Sequence, residues 1–392
     1  MTPSARVQAA IEILDATIAG ARDNGPPADR IVASYFKTRR YAGSKDRRAV
    51  RELVYDAIRA CGPRPPNGRA AMLRLGQERP ELLALFDGSD HGPAPLGEGE
   101  QPAKGGAAHD WLVKALAASG VPREEQTALL DRAPLDVRVN TLLTERGELD
   151  LPEPGKPLTA PNALRFPTGT QVEQWDAYRE GLVEVQDHGS QLACLAVGAT
   201  PGETVLDLCA GAGGKTLALA AAMEMRGMLV ASDTDRGRLS KLEPRAERAG
   251  AKGISTVLLD PGREAERLAG LEGACDAVLV DAPCSGTGTW RRKPEARWRV
   301  TQADLEQYAK TQDRLLDIAA TYAKPEGRVV FVTCSLLDIE GTHRVAAFLE
   351  RHPAWRAEMP DLPLGAPHGL GWRLSPHRDA TDGFFIARLT RA

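Results

Sequence analysis

The feature that most constrains this chain is an alternation that runs between residues 203 and 335. Five short apolar runs, "ETVLDLCA", "GMLVASD", "ISTVLLD", "CDAVLVDAP" and "GRVVFVTCS", read as strands. Stretches with helical spacing, "GGKTLALAAAMEM", "RGRLSKLEPRAERAG" and "TQADLEQYAKTQDRLLDIAATYA", lie among them, the second broken near Pro244. Strands separated by helices predict a parallel sheet covered on both faces. The closing "DGFFIARLTRA" alternates and predicts one further strand, at the sheet edge.

Ligands of such sheets bind outside the carboxyl ends of the strands. Four successive strands end in or beside an acid: Asp207, Asp233, Asp260 and Asp281. Acids are costly to bury without partners, so the row predicts a ligand site rather than packing. The first strand runs into "DLCAGAGGKT", where Gly211, Gly213 and Gly214 let the backbone approach a ligand. The helix that follows offers free N–H groups. Lys215 stands where the third glycine of a dinucleotide fingerprint would fall, which favours S-adenosylmethionine. Asp207 is then placed for the amino acid portion of that cofactor, Asp233 for ribose hydroxyls and Asp260 for the adenine amino group.

Two cysteines sit at the same edge. Cys284 follows the fourth strand in "DAPCSGTGTWRRKPEARW", and Cys334 ends the fifth in "VTCS". Adjacent strands lie about 5 Å apart, so the two thiols are expected to face one cleft. Carbon 5 of a pyrimidine is a poor nucleophile until a thiolate adds to carbon 6, which makes cysteine a fitting residue for its methylation. Either thiol can attack on this reading. A DNA-type enzyme would use Cys284 and leave Cys334 idle.

"DLCAGAGGKT", "DAPCSGTGTWRRKP", "VTCS" and "DGFFIARL" together resemble the Sun/RsmB (NOP/Sun) family of RNA 5-methylcytosine methyltransferases, over roughly residues 112–389. The resemblance implies an α/β class I methyltransferase fold, a Rossmann-like parallel sheet with a final antiparallel strand. It implies a small RRM-like α+β module before the sheet and an N-terminal all-α, NusB-like domain. By the same resemblance Cys334 is the nucleophile and Cys284 assists product release, while Asp281 and Lys215 hold and polarise the cytosine. Cys209, Ala210, Gly211, Ala212, Gly213, Gly214, Lys215, Asp233, Arg238, Asp260 and Asp281 would surround S-adenosylmethionine. The implied substrate is 16S rRNA, with tRNA as the alternative and a catalytically silent ribosome assembly factor as the non-enzyme reading. The chain departs from the family at Gly211-Ala212, where Ala-Pro is usual, which suggests a looser loop. It departs again after Cys334, where "DIEGTH" keeps Glu340 but lacks its usual Asn and acidic neighbours.

The 392 residues divide by pattern into helices over 1–87, a flexible Gly/Pro/Glu-rich linker over 88–108, the small module over 109–180 and the methyltransferase domain over 181–392. A net charge of -3 confines RNA contact to local basic patches. Two basic runs qualify: Arg39 and Arg40 beside Tyr41, within a run from Lys37 to Arg51, and Arg291, Arg292, Lys293, Arg297 and Arg299 after the Cys284 loop. Trp290 and Trp298 fit either base stacking or packing. Six cysteines without a C-x-x-C pair predict neither zinc nor a disulfide framework, and Cys61, Cys194 and Cys275 read as packing. No apolar run is long enough for a membrane helix or a signal peptide, so a cytoplasmic, metal-free monomer is expected.

Overall fold

The structure is a computed structural model and describes residues 1–391. The chain packs as two units. One holds Met1–Asp131 together with Thr289–Thr301, and the other holds Arg132–Gly288 with Gln302–Ala392.

The first unit is helical: α1 (Pro3–Arg22), α2 (Ala28–Lys37), α3 (Ser44–Ala60), α4 (Gly68–Glu78), α5 (Asp110–Ala118) and α6 (Arg123–Ala128). The Thr2 hydroxyl caps α1 by accepting from the Ala5 N–H at 3.2 Å, with Pro3 at the first helical position. The stripe read from sequence, Val7, Ala10, Ile11, Leu14 and Ile18, is buried throughout and packs with Val50, Val54 and Ile58 of α3.

Residues 88–108 carry no helix or strand, yet they do not hang free. Arg69 of α4 donates to Glu100 at 2.7 and 2.9 Å and to the Ala94 and Pro95 carbonyls at 3.0 Å. The Ala103 N–H donates to Ala70 O at 2.9 Å, and Ala103 and Ala108 are buried. The expectation of a flexible linker is therefore corrected. It weighed only the segment's own apolar surface, whereas the bonds that hold it come from α4. The expected boundary at 108/109 moves as well, because α5 and α6 belong to the helical unit.

The second unit holds two sheets. The smaller comprises β1 (Leu135–Val139), β2 (Lys156–Pro157), β3 (Ala163–Phe166) and β4 (Val183–Val185), all antiparallel in the order β2-β3-β1-β4. A short 3-10 turn, Arg146–Glu148, lies between β1 and β2, and α7 (Asp176–Arg179) lies between β3 and β4. After α8 (His188–Val197) come β5 (Thr204–Asp207), α9 (Gly214–Ala222), β6 (Met228–Asp233), β7 (Ser255–Leu258), β8 (Cys275–Asp281) and β9 (Ala323–Thr333). β10 (Trp355–Glu358), β11 (Ala366–His368), β12 (Gly371–Leu374) and β13 (Phe384–Arg391) complete the chain.

The larger sheet has the order β11-β12-β13-β9-β8-β5-β6-β7, and β5 to β9 are mutually parallel. Successive residues of one strand feed opposite cores. Val205 and Leu279 pack with Leu192 and Leu217 on one face, while Leu206 and Val280 pack with Leu316 and Phe348 on the other. β13 runs antiparallel to β9 as expected, but it is not an edge strand. Its far side pairs with β12 over Phe384–Ile386 and with β10 over Arg388–Arg391. The helical break falls between Leu239 and Leu242 rather than at Pro244, which sits in the first turn of the second segment, where a missing N–H costs nothing.

Candidate active site

The order reverses at β5, from which the chain winds first through β6 and β7 and then back to β8 and β9. A crevice at such a point is where an open α/β sheet places its ligand. Three acids predicted there lie at strand ends: Asp207 closes β5, Asp233 closes β6 and Asp281 closes β8. Asp260 lies two residues beyond β7, half-exposed, in a 3.3 Å ion pair with Arg267.

Asp207 is fully buried. Its Oδ2 accepts from the Thr216 hydroxyl at 2.7 Å, and its Oδ1 has no partner among the described residues. Burial, reinforced by the charge of Asp281, holds this carboxyl up at about 7 despite the Thr216 bond. Asp233 spends both oxygens on the turn: Oδ2 accepts from the Gly211 N–H and Oδ1 from the Asp235 N–H, each at 2.7 Å.

The loop between β5 and α9 is tight where sequence suggested looseness. Gly211 has φ +56°, and a Cβ there would lie 2.4 Å from the Arg238 guanidinium. The glycine thus makes room for Arg238 and takes a left-handed conformation that an alanine would resist. Gly213 has φ +83° and precedes α9 without any side-chain cap, so the first-turn N–H groups of α9 are available to a ligand. Burial pushes the Cys209 thiol well up, which suits contact rather than reaction.

Lys215, in the first turn of α9, reaches Asp281 at 2.6 Å, and its side chain is 11% exposed. Burial pulls its ammonium down, but the charges of Asp281 and Cys194, the Asp281 bond and the Cys334 charge together hold it raised. Lys215 is therefore a fixed cation beside the cysteines, 5.7 Å from the centre of the Phe384 ring.

Cys284 and Cys334 do meet, with their sulfurs 3.4 Å apart. Their hydrogen bond, and then burial, hold the Cys284 thiol well above its ordinary range. The loops that carry them are pinned together. The Gly288 N–H donates to Cys334 O at 2.9 Å, and the Gly383 N–H donates to Gly288 O at 2.8 Å. A Cβ on Gly288 would come within 2.1 Å of Gly383 O, so only glycine permits this approach. Between the loops lies Glu340, fully buried, the acid that the sequence keeps without its usual neighbours. It accepts from the Ser285 N–H at 2.8 Å, from the Ser335 hydroxyl at 2.6 Å and from the Ser285 hydroxyl. Ser285, Ser335, Gln312 and Phe384 were all missed. The repeated Cys-Ser of "PCS" and "TCS" is the one signal that pointed to the serines.

The other cysteines are packing residues as expected for Cys61 and Cys275, which are fully buried and pushed up to about 12 and 11 by burial. Cys194 is only half-buried. Burial lifts its thiol to about 11 while the Lys215 charge pulls on it, so it borders the site.

The basic run after Cys284 behaves otherwise than predicted. Arg297 is fully buried and donates to the carbonyls of Ile58 at 2.6 Å, Cys61 and Pro294. Arg299 donates to Gly20 O, Gly25 O and Pro26 O at 2.8 to 3.0 Å. Both cations thus cap helix C-termini, those of α3 and α1, and the Glu295 carboxylate accepts from Ala28 at the start of α2. Arg291 is buried, as are Trp290 and Trp298, and the Trp298 indole donates to Gly62 O at 3.2 Å. Of the five cations proposed for RNA here, Lys293 alone is exposed; Arg292 is half-buried. In the other run Arg39 is half-buried, stacked on Tyr35 at 3.7 Å and paired with Glu12 at 3.2 Å. Lys37, Arg40, Tyr41, Lys45 and Arg51 are exposed.

With the thiols, the glycine loop and the strand-end acids placed, comparison with known proteins is informative. The model of the 16S rRNA methyltransferase RsmB/F family matches residues 194–390. Ribosomal RNA small subunit methyltransferase B of Citrobacter koseri is 35% identical over 297 residues. The chain belongs to the RsmB/F methyltransferase family. That match spans 72% of this chain and 66% of the Citrobacter koseri protein. The Escherichia coli protein of the same name is 32% identical over 357 residues, covering 88% of this chain and 77% of its own. In fold, the crystal structure of PH0851 superposes with a TM-score of 0.76 at 24% identity, over 100% of this chain and 99% of that one. A methyltransferase homolog protein from Pyrococcus horikoshii does so with a TM-score of 0.58 at 23% identity, over 72% and 99%. S-adenosylmethionine is the cofactor of this family, and the residues present fit it. The buried, unpartnered Oδ1 of Asp207 seeks the kind of donor that the cationic end of the cofactor provides. Among the described residues no cluster could hold a metal ion, and no helix is long and apolar enough to cross a membrane.

Proposed function

We propose that this chain methylates carbon 5 of cytosine in RNA, with 16S rRNA as the substrate, through a covalent bond between Cys334 and the base. The observation that carries the reading is the pair of thiols 3.4 Å apart, on the loops after adjacent parallel strands, in a site where Lys215 and Asp281 form an ion pair.

The Cys334 thiolate adds to carbon 6, and the electron pair released makes carbon 5 nucleophilic. S-adenosylmethionine, when bound, supplies the electrophilic methyl group. Lys215 holds Asp281 ready to bond the cytosine edge, and its positive charge favours the thiolate form of a neighbouring cysteine. Solvent water then takes the carbon 5 proton, the electron pair forms the carbon 5–carbon 6 double bond, the carbon–sulfur bond breaks and Cys334 leaves as a thiolate that the Cys284 thiol stabilises by hydrogen bonding. The hydrogen bond to Cys334, and then burial, favour the protonated form of Cys284, which suits it to assist release. Asp207 and Asp233, with the free N–H groups of α9, hold the cofactor; Arg238 closes the loop at Gly211 and Asp260 borders its far end. The exposed cations of the 37–51 run, Arg40 among them, supply phosphate contacts, with Tyr41 74% exposed between them. The target base must leave any stack to reach the thiols, which favours a loop or single strand.

The test uses labelled cofactor with 16S rRNA and tRNA as separate substrates. Methyl transfer to cytosine in 16S rRNA, lost in Cys334→Ala and replaced by a trapped protein–RNA adduct in Cys284→Ala, is the expected result. Activity in Cys334→Ala with adduct formation lost in Cys284→Ala would assign the attack to Cys284 instead.

A further inference from the structure

We propose that Glu340 is the positioning residue of the thiol pair: its single carboxylate ties together the residues that follow Cys284 and Cys334, and so holds the two sulfurs side by side. This rests on the reading that both thiols serve one reaction.

Three donors converge on this fully buried carboxylate from two different loops. Ser285 gives its N–H at 2.8 Å and its hydroxyl, and Ser335 gives its hydroxyl at 2.6 Å. Each serine directly follows one of the cysteines, so the carboxylate bonds the neighbour of each Sγ-bearing residue, at Ser285 through backbone and side chain and at Ser335 through the side chain. The lattice around it is closed by hydroxyls. Ser335 Oγ lies 3.1 Å from Thr287 Oγ1, which accepts from the Leu336 N–H at 2.9 Å, and Ser335 Oγ accepts from the Leu337 N–H at 3.2 Å. On the other flank the Thr333 hydroxyl donates to Glu340 O at 3.1 Å, while Gln312 Nε2 donates to Pro283 O at 2.8 Å. The residues before and after each cysteine are thus held by buried bonds, and Glu340 bonds the residue that follows each of them.

A carboxylate suits this task better than a neutral group. It accepts several bonds at once, and bonds to an ionised acceptor are about twice as strong as neutral ones. Parallel neighbouring strands bring the loops within reach, but strand pairing ends at Asp281 and Val332. Beyond that point the loops are joined by the backbone bond from Gly288 to Cys334 and by side-chain bonds, of which those at the residues after the two cysteines meet at Glu340.

The experiment compares the full-length protein with Glu340→Ala and Glu340→Gln. Thiol juxtaposition is read without any reaction, by titration with phenylarsine oxide, which bridges two thiols with loss of one water. The wild type should bind one equivalent, Glu340→Ala at least tenfold more weakly, and Glu340→Gln, which keeps an acceptor oxygen, should recover most of the difference. Methyl transfer at saturating cofactor should fall roughly 100-fold in kcat for Glu340→Ala, as for other lost positioning, with cofactor Kd within twofold. Unchanged arsenical binding and unchanged kcat in a folded Glu340→Ala would overturn the proposal, as would a loss of cofactor binding as large as the loss of rate. If Glu340→Ala does not fold, Ser335→Ala is read on the same two scales, and wild-type values on both overturn it. A wild type that binds the arsenical but methylates no RNA would instead count against the activity.

Discussion

Residues 281–288 and 289–301 are adjacent in the chain and read as one motif, yet they serve different units. The first stretch closes a strand of the parallel sheet and carries Asp281 and Cys284 beside Lys215 and Cys334. The second belongs to the helical unit, where Trp298 enters the core and Arg297 and Arg299 satisfy the last carbonyls of two helices. Charge beside a cysteine site therefore says little about RNA. Helix C-termini and phosphates both present oxygen acceptors, and an arginine satisfies either.

The largest test of this contrast is in the reaction. Cys334→Ala should lower methyl transfer on the order of 10⁴-fold or more, as loss of a nucleophile does. Its thermal unfolding should stay close to wild type, because the thiol is partly exposed and small. Equal loss of stability and rate would erase the distinction between the two stretches.

Arg297→Met should do the reverse. Burial pulls the Arg297 guanidinium down to about 9, so it stays charged at neutral pH, and its removal strands buried carbonyls at Ile58 and Cys61. The expected cost is about 3 kcal/mol of stability in the helical unit, read by chemical denaturation with circular dichroism. An unchanged midpoint with weakened RNA binding would restore Arg297 to the phosphate surface.

A smaller effect separates the strand-end acids from ordinary surface carboxylates. Asp207 titrates at about 7 in the folded protein, against about 4 in an unfolded chain. The free folded protein holds a proton there that a cationic ligand must expel. Cofactor affinity should therefore fall as pH drops below about 7, by up to about tenfold per unit, and level off above it. The same proton makes the cofactor-free protein less stable as pH rises from about 4 to about 7, the reverse of an ion-paired carboxylate. Isothermal titration between pH 5.5 and 8.5 measures the first effect, and Asp207→Asn should flatten it.

The smallest effect belongs to the exposed run in the helical unit. Arg40→Ala with Lys45→Ala should weaken RNA binding a few-fold, regardless of sequence, and reduce the slope of log affinity against log salt by about 1 per phosphate contact. Arg297→Met, once refolded at low denaturant, should leave that slope unchanged. A shared loss of slope would make both runs one RNA surface.

Much of this is legible in the sequence. Parallel strands buried on both faces write themselves as apolar runs ending in loops, so the sheet, its strand-end acids and the two cysteines at one edge were all readable in residues 203–335. Local chemistry carried these inferences, because a glycine turn, an acid at a strand end and a cysteine in a loop each have few physical uses. Partners distant in sequence were not legible. The expected RNA-contacting Arg297 proved to be 236 positions from the Cys61 carbonyl it bonds, and the segment expected to be a loose linker is held by Arg69. Glu340 shows the division within one residue. Sequence marked it as an acid after Cys334, but only the meeting of two loops made it the acceptor that joins Ser285 to Ser335. Periodicity and composition are set along the chain, whereas the choice among equivalent acceptors for a buried donor is made by whichever group folding brings within about 3 Å.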